Sequence, residues 1–124
     1  MMPLPSLNTT ELKAQLTQDH GGFRLALNGR AETPQIREQL RTLFTAVDQT
    51  LRGQAAAKVT IDFNLLAFIN SSCFMELVVW LTTVGARAAN EQYKLVFLSN
   101  PAVRWQRASL HSLATFAINL VEII

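Results

Sequence analysis

Two segments near the amino terminus alternate between apolar and polar residues, which is the pattern of strands with one buried face. The alternating apolar positions are Leu12, Ala14, Leu16, Phe23, Leu25 and Leu27. Between the two segments lies His20-Gly21-Gly22, and paired glycines are typical of a tight turn. The pattern therefore predicts an antiparallel hairpin.

A helix is predicted next, because apolar residues then recur every three or four positions. These positions are Ile36, Leu40, Leu43, Val47 and Leu51. Thr33 can cap the first turn with its side-chain oxygen, and Pro34 suits the first helical position, where no backbone N–H is needed. Gly53 is the expected end of this helix.

The second half of the chain alternates between strand and helix patterns. Val59 to Phe63 is rich in β-branched and aromatic residues and predicts a strand, and Tyr93 to Leu98 predicts another. Between them, Asn70, Ser71 and Ser72 are all good helix caps, and the apolar residues that follow share one helical face. We therefore expect the second helix to begin at the serine pair.

A third helix and a closing strand complete the pattern. Ser99-Asn100-Pro101 is again a cap followed by proline, so the third helix is expected to open there, and Ala117 to Ile124 is expected to form the last strand. Strands joined through helices pair in parallel. We predict a single α/β domain over residues 9–124, after a flexible segment over residues 1–8. Its mixed sheet of four to five strands would carry an antiparallel amino-terminal hairpin and three or so helices.

The composition favours a compact cytoplasmic protein. The 124 residues are 49% hydrophobic and 16% charged, which suits a packed core. The amino terminus lacks a basic leader with a long apolar stretch, and the single cysteine, Cys73, can form no intramolecular disulfide. A formal net charge of +2 with scattered arginines predicts no nucleic-acid binding. The apolar runs are too short to predict membrane insertion.

The sequence offers no catalytic constellation. An enzyme needs a nucleophile beside a base, a glycine-rich loop that binds phosphate, or side chains at metal-ligand spacing. The two histidines, His20 and His111, lie in different predicted elements without a second ligand at zinc spacing. Cys73 is expected to be a small buried apolar residue. We therefore predict no catalytic residues, no metal site and no cofactor.

Three segments together resemble the STAS domains, the family of sulfate transporters and anti-sigma factor antagonists. The segment Val59 to Met75, VTIDFNLLAFINSSCFM, resembles the family's apolar strand that leads through Asp-Leu to Phe-Ile-Asp-Ser-Ser-Gly-Leu at a helix start. Leu27 to Glu32 resembles the family's strand followed by a Gly-x-x-Asp loop, and Asn100 to Val103 resembles its Ser-Pro-x-Val helix opening. The order and spacing match, so the resemblance covers nearly the whole chain.

The resemblance implies a non-enzymatic bacterial regulator of transcription that acts by binding proteins. In partner-switching members of the family, a serine kinase that is also an anti-sigma factor phosphorylates the first serine of the pair. Phosphorylation releases the partner, and a matching phosphatase belongs to the same system. Carried over to this chain, the phosphoacceptor is Ser71, with Ser72 as the second choice. The chain departs from the family at Asn70, where Asp is usual, and at Cys73, where Gly is usual.

The docking surface implied by the resemblance centres on the start of the second helix. It comprises Glu32, Thr33, Asn70, Ser71, Ser72 and Phe74. The family loop that matches Glu32 faces the phosphorylation site, and a phosphate on Ser71 would meet the positive end of the helix dipole. From the residues alone, the serines are simply helix caps and Glu32 is a solvated acid.

Other functions stay open at this point. Some members of the family work without phosphorylation, as scaffold subunits or as subunits associated with transporters, and Asn70 and Cys73 would then reflect the loss of the switch. A small-molecule or lipid-binding domain, with an apolar groove between helix and sheet, is a third hypothesis. The sequence also leaves a homo-oligomer open.

Overall fold

The computed structural model describes residues 4–20 and 22–124. These residues form six strands, three helices and a short 3₁₀ turn, Ala89–Glu91. The strands are β1 Ser6–Asn8, β2 Leu12–Asp19, β3 Gly22–Ala31, β4 Lys58–Ile69, β5 Lys94–Leu98 and β6 Val121–Ile123. The helices are α1 Pro34–Gly53, α2 Ser71–Gly85 and α3 Arg104–Ala114. From β3 onward, strands and helices alternate as the sequence pattern predicts.

The strands form one mixed sheet in the order β1-β2-β3-β4-β5-β6. β2 pairs antiparallel with both β1 and β3, whereas β3, β4, β5 and β6 pair in parallel. The predicted α/β class, the hairpin and the three helices are confirmed, but the described residues form six strands rather than four to five. Within the predicted turn His20-Gly21-Gly22, Gly21 lies outside the described residues.

The additional strand, β1, lies within residues 1–8, the segment that the sequence predicts to be flexible. Its central residue, Leu7, pairs with Ala14 of β2, and the N–H of Leu16 donates to the carbonyl of Pro5 at 3.0 Å. A strand of three residues is too short to show an alternating pattern. It can therefore be identified from its pairing with β2 but not from its own sequence. The sheet therefore begins at Ser6, and residues 1–3 lie outside the described part of the chain.

Strands and helices bury their apolar side chains in one shared core. The alternation predicted for the hairpin is confirmed, since Leu12, Leu16 and Leu25 are fully buried while Lys13 and Arg24 between them are exposed. All five residues of the stripe predicted for α1 are also buried. One face of the hairpin therefore packs under the helices, and its other face is exposed to solvent.

The predicted limits of α1 are confirmed. The Thr33 hydroxyl oxygen accepts a hydrogen bond from the N–H of Ile36 at 3.1 Å, and Pro34 is the first helical residue. The helix ends at Gly53. These limits depend on neighbouring residues of the chain, which is why the sequence alone was sufficient to place them.

Two elements in the last third of the chain begin later than the sequence indicated. α3 begins at Arg104 instead of Pro101, because the Asn100 side chain accepts the N–H of Ala102 at 3.0 Å and so forms a turn instead of capping a helix. The closing strand is limited to Val121–Ile123, since residues 117–120 form a turn.

Gln106 attaches α3 to β4 from a completely buried position. Its side-chain nitrogen donates to the carbonyls of Phe63 and Leu66, both at 2.8 Å, and its oxygen accepts the N–H of Asn100 at 2.7 Å. Asn100 in turn donates to the carbonyl of Asn64 at 2.9 Å. These contacts satisfy backbone groups of β4 that would otherwise be buried without partners.

Gly29 allows β2 and β3 to approach closely beside an irregularity in the β3–β4 register. Its φ is +121°, and a Cβ there would overlap the carbonyl oxygen of Glu11. We expect Gly29→Ala to lower the free energy of unfolding by about 2–6 kcal/mol, from backbone strain and a steric clash together. Gly22, with a φ of +110° and open space around it, provides the control, because Gly22→Ala adds strain alone. Urea unfolding should separate the two variants, and equal losses would contradict the importance of the Glu11 contact.

Candidate functional site

The carboxyl ends of the parallel strands β3 and β4 lie side by side, with Ala31 paired to Ile69. The chain leaves β3 through Glu32 and Thr33 into α1, and it leaves β4 through Asn70 into α2. The Asn70 N–H donates to the carbonyl of Ala31 at 2.8 Å, and its side-chain amide donates to the carbonyl of Glu32 at 3.0 Å. The Glu32 loop and the start of α2 therefore form one continuous surface.

Asn70 caps α2, and neither serine does. Its side-chain oxygen accepts the N–H of Cys73 at 2.9 Å, and its backbone carbonyl accepts the N–H of Phe74 at 2.9 Å. Ser71 and Ser72 are the first two helical residues, and both are exposed. Their hydroxyls make no hydrogen bond within the described part of the chain, so the interpretation of the serines as caps is wrong. Both hydroxyls are accessible to another protein.

The exposed side of the Glu32 loop carries an ion pair and an aromatic ring. The Arg30 guanidinium donates to the two carboxylate oxygens of Glu32 at 3.2 and 3.3 Å and lies 5.0 Å from the centre of the Phe68 ring. Exposed ion pairs of this kind contribute only about 0–1 kcal/mol to stability. A basic residue of a partner protein could therefore take the place of Arg30 beside Glu32 at little cost in free energy. Thr33 differs, because its hydroxyl is already occupied in capping α1.

The next two residues of α2 point away from solvent. Cys73 is fully buried, as expected, with its sulfur 3.9 Å from the carbonyl oxygen of Thr33. Burial raises the pKa of this thiol above its ordinary value, so the neutral form predominates. Phe74 is half-buried and packs against the core. Of the residues predicted for docking, Glu32, Ser71 and Ser72 are therefore the most accessible.

Glu76 is a buried charge that the sequence interpretation missed. Its side chain is 3% exposed, and it accepts one hydrogen bond from Arg37 at 3.1 Å and two from Arg41 at 3.2 Å. The hydrogen bonds from Arg41 and Arg37 outweigh the effect of burial and lower the pKa of Glu76. The available signal was a single acid inside the apolar run of α2, combined with two arginines four residues apart on α1.

A second buried polar group joins α1 to the end of α2. Arg87 donates to both carboxylate oxygens of Asp48, at 2.8 and 2.6 Å. The Tyr93 hydroxyl donates to Asp48 at 2.6 Å and accepts the indole N–H of Trp80 at 2.7 Å. Burial favours the neutral carboxyl, but the hydrogen bonds from Arg87 and Tyr93 prevail and lower the pKa of Asp48. Burial, together with Asp48, raises the pKa of Tyr93.

The outward face of α2 is uncharged and combines hydroxyl-bearing side chains with two apolar ones. Met75 and Val79, one helical turn apart, are 47% and 52% exposed. The hydroxyls of Thr82 and Thr83 donate to backbone carbonyls one turn earlier, at 3.0 and 2.7 Å, so the helix itself satisfies them. A partner that covers this face would therefore leave neither hydroxyl without a hydrogen bond.

Neither a metal-binding cluster nor a membrane-spanning helix occurs among the described residues. No three His, Cys, Asp or Glu side chains in this part of the chain lie close enough together to hold a metal ion. No helix in residues 4–20 or 22–124 is both long and apolar enough to cross a membrane.

The two roles of the Asn70 side chain can be separated by substitution. Asn70→Ala should lower the free energy of unfolding by about 0.5–2 kcal/mol, because the cap is lost. Asn70→Asp keeps the cap but cannot donate to the Glu32 carbonyl, so it should retain the unfolding temperature better than Asn70→Ala while increasing hydrogen exchange around Glu32. Equal exchange in wild type and Asn70→Asp would show that this hydrogen bond does not order the loop.

Because of Glu76, the free energy of unfolding should depend on pH in the acidic range. Because its folded-state pKa lies below the ordinary value of 4.5, its ion pairs stabilise the fold above that pH, and the contribution is lost as the pH falls toward the folded-state pKa. Solvent screens the two arginines, which are 43% and 60% exposed, so Glu76→Gln should cost about 1–2 kcal/mol at neutral pH. Denaturant curves for the two proteins should converge on acidification. Glu122→Gln, at an exposed position of β6, is the control, and a gap that stays constant well below pH 4.5 would contradict the assignment.

Comparison with known proteins supports the fold. No family model and no curated protein sequence matches the chain. Among solved structures, it is similar to an anti-sigma factor antagonist from Mycobacterium paratuberculosis, with a TM-score of 0.54 and 10% identity over 94% of this chain and 90% of that one. It is also similar to an uncharacterised protein from Shewanella loihica PV-4, of the DUF3478 family with a SpoIIAA-like fold. That match has a TM-score of 0.57 and 15% identity over 96% of this chain and 90% of the other. The chain therefore has the fold of anti-sigma factor antagonists, which confirms the STAS-like fold inferred from its sequence.

Proposed function

We propose that this chain is a non-enzymatic protein-binding module that acts as a partner switch, controlled by phosphorylation of Ser71. Its partner would be a serine kinase that also serves as an anti-sigma factor, with a matching phosphatase, in the bacterial cytoplasm. The docking surface would centre on the Glu32 loop and the first turn of α2. Ser72 is the second candidate for the phosphoacceptor.

The observation that carries the proposal is the exposed hydroxyl of Ser71, which makes no hydrogen bond to any residue that the structure describes. It is exposed at the first position of α2, and the capping role that a serine often has there is taken by Asn70. The hydrogen bond from Asn70 to the Glu32 carbonyl keeps the neighbouring loop next to it. A kinase could therefore modify Ser71 without removing an interaction that the fold needs.

A phosphate on Ser71 would change the surface more than the fold. It adds about −1.5 to −2 charges at pH 7, and negative charge near a helix N-terminus is favoured by about 0.3–1 kcal/mol. The same charge at the centre of a protein interface loses its hydration, which opposes binding. Phosphorylation would therefore release a partner while the module stays folded.

A docking module that works without phosphorylation is the second candidate. The observation that favours it is the engagement of Asn70, whose amide oxygen and nitrogen are both bonded within the chain. A kinase that recognises an acidic residue before the acceptor would find there a neutral side chain that is already occupied. In this alternative, Ser71 and Ser72 contact the partner as neutral hydroxyls.

Ser71→Asp should separate stability from binding. After a partner has been isolated by pull-down and identified, we expect Ser71→Asp to weaken its affinity by roughly thirtyfold to several thousandfold, since an unpaired charge in an interface costs about 2–5 kcal/mol. The melting temperature should stay near that of wild type. Ser71→Ala should retain binding, and Ser112→Asp, which adds the same charge to exposed α3, should leave the affinity unchanged. Wild-type affinity in Ser71→Asp would favour the phosphorylation-independent module.

A further inference from the structure

A groove of about 160 Å³ lies between α1 and α2. Its floor contains Phe44 and Trp80, whose rings stack with centroids 4.9 Å apart and an interplanar angle of 21°. Thr45, Val79 and Thr83 also line it. Pockets for small organic ligands are typically about 300–1,000 Å³, so this smaller groove fits a single side chain of another protein better.

The charges around the groove leave an excess of positive charge. Arg41, Glu76 and Asp48 line the groove, and Arg37 and Arg87 pair with these two carboxylates. Two further charged residues of α1, Glu38 and Arg52, act electrostatically on Arg41 and Asp48. Four positive and three negative charges give a net charge of +1, and the carboxylates of Glu76 and Asp48 are already paired with arginines. Of the three arginines that form ion pairs here, Arg41 is the most accessible, at 60% exposure. Its acidic neighbour on α1, Glu38, acts on Arg41 electrostatically but lines a different groove, beside β1. The complement of this rim is therefore a carboxylate.

We propose that this groove receives one apolar side chain of a partner protein, and that Arg41 binds a carboxylate of the same partner next to that side chain. The inference rests on the proposed function, because it describes how the partner docks. A second copy of this chain on the same face would bring another arginine-edged, uncharged helix face and offer neither Arg41 side chain a carboxylate beyond its own Glu76. The charge therefore favours a different, acidic partner.

The groove and the Ser71 site can be covered by the same partner. Val79 borders the groove and belongs to the uncharged outward face of α2, one turn after Met75. Ser72 lies one turn before Glu76, whose carboxylate binds Arg41. The outward face of α2 thus connects the serine pair to the groove without an intervening charge.

Peptide selection tests the groove before any partner has been identified. Random twelve-residue peptides displayed on phage would be selected on the full chain and counter-selected on Val79→Lys. We expect a consensus with one large apolar residue close to an Asp or Glu. For the selected peptides, fluorescence anisotropy should show about tenfold weaker binding to Val79→Lys and a smaller loss in Arg41→Gln. Arg107→Gln, the same change on exposed α3, is the matched control.

Val79→Lys keeps the test decisive if Arg41→Gln disturbs the fold, because Val79 is exposed and has no part in the ion pairs. Three results would overturn the proposal: no enrichment, enriched peptides without an acid, or binding that neither substitution weakens. Dimerisation in sedimentation experiments that Val79→Lys abolishes would assign the groove to a second copy instead. Failure of the groove differs from failure of the switch, since Ser71→Asp is measured against the isolated partner and the peptides report on the groove alone.

Discussion

The parallel pairing of β3 with β4 determines where the candidate site lies. Parallel strands end at the same edge of a sheet, so α1 and α2 begin next to each other. Asn70 holds the two exits together through its hydrogen bonds to Ala31 and Glu32. Because the two helices start together and run in the same direction, side chains at equal heights meet. Glu76 reaches Arg37 and Arg41 near the start, and Arg87 reaches Asp48 near the end.

The two buried ion-pair groups define how α1 and α2 align. Burial of apolar surface is non-directional, so it cannot by itself prevent one helix from sliding along the other. Glu76, the one charged residue of α2, would be buried without a partner if the helices moved by a turn, and Asp48 would lose Arg87. An uncompensated buried charge costs far more than an ion pair contributes. The polar contacts therefore exclude wrong alignments more than they add stability.

Features that depend on adjacent residues could be predicted from the sequence, and features that depend on distant ones could not. Thr33, Pro34 and Gly53 define α1 locally, and the alternation in β2 and β3 reports their buried face directly. Asn100 looked like a cap, but its side chain forms a turn with Ala102 and also contacts β4. Which of the three cap candidates before α2 caps the helix also depends on a residue distant in sequence, because the hydrogen bond to the Glu32 loop favours Asn70.

The two faces of α2 are under different physical constraints. On the inner face, Cys73, Leu77 and Glu76 are buried, so a change of volume or charge there affects the core or the ion pairs. On the outer face, neither serine hydroxyl bonds to another residue in the described ranges 4–20 and 22–124, and the hydroxyls of Thr82 and Thr83 are satisfied within the helix. Substitution or modification of the outer face therefore alters what another protein meets without altering what holds α2 in place. Such a division lets an exposed surface diverge while the fold persists, in keeping with shared folds at 10% and 15% identity.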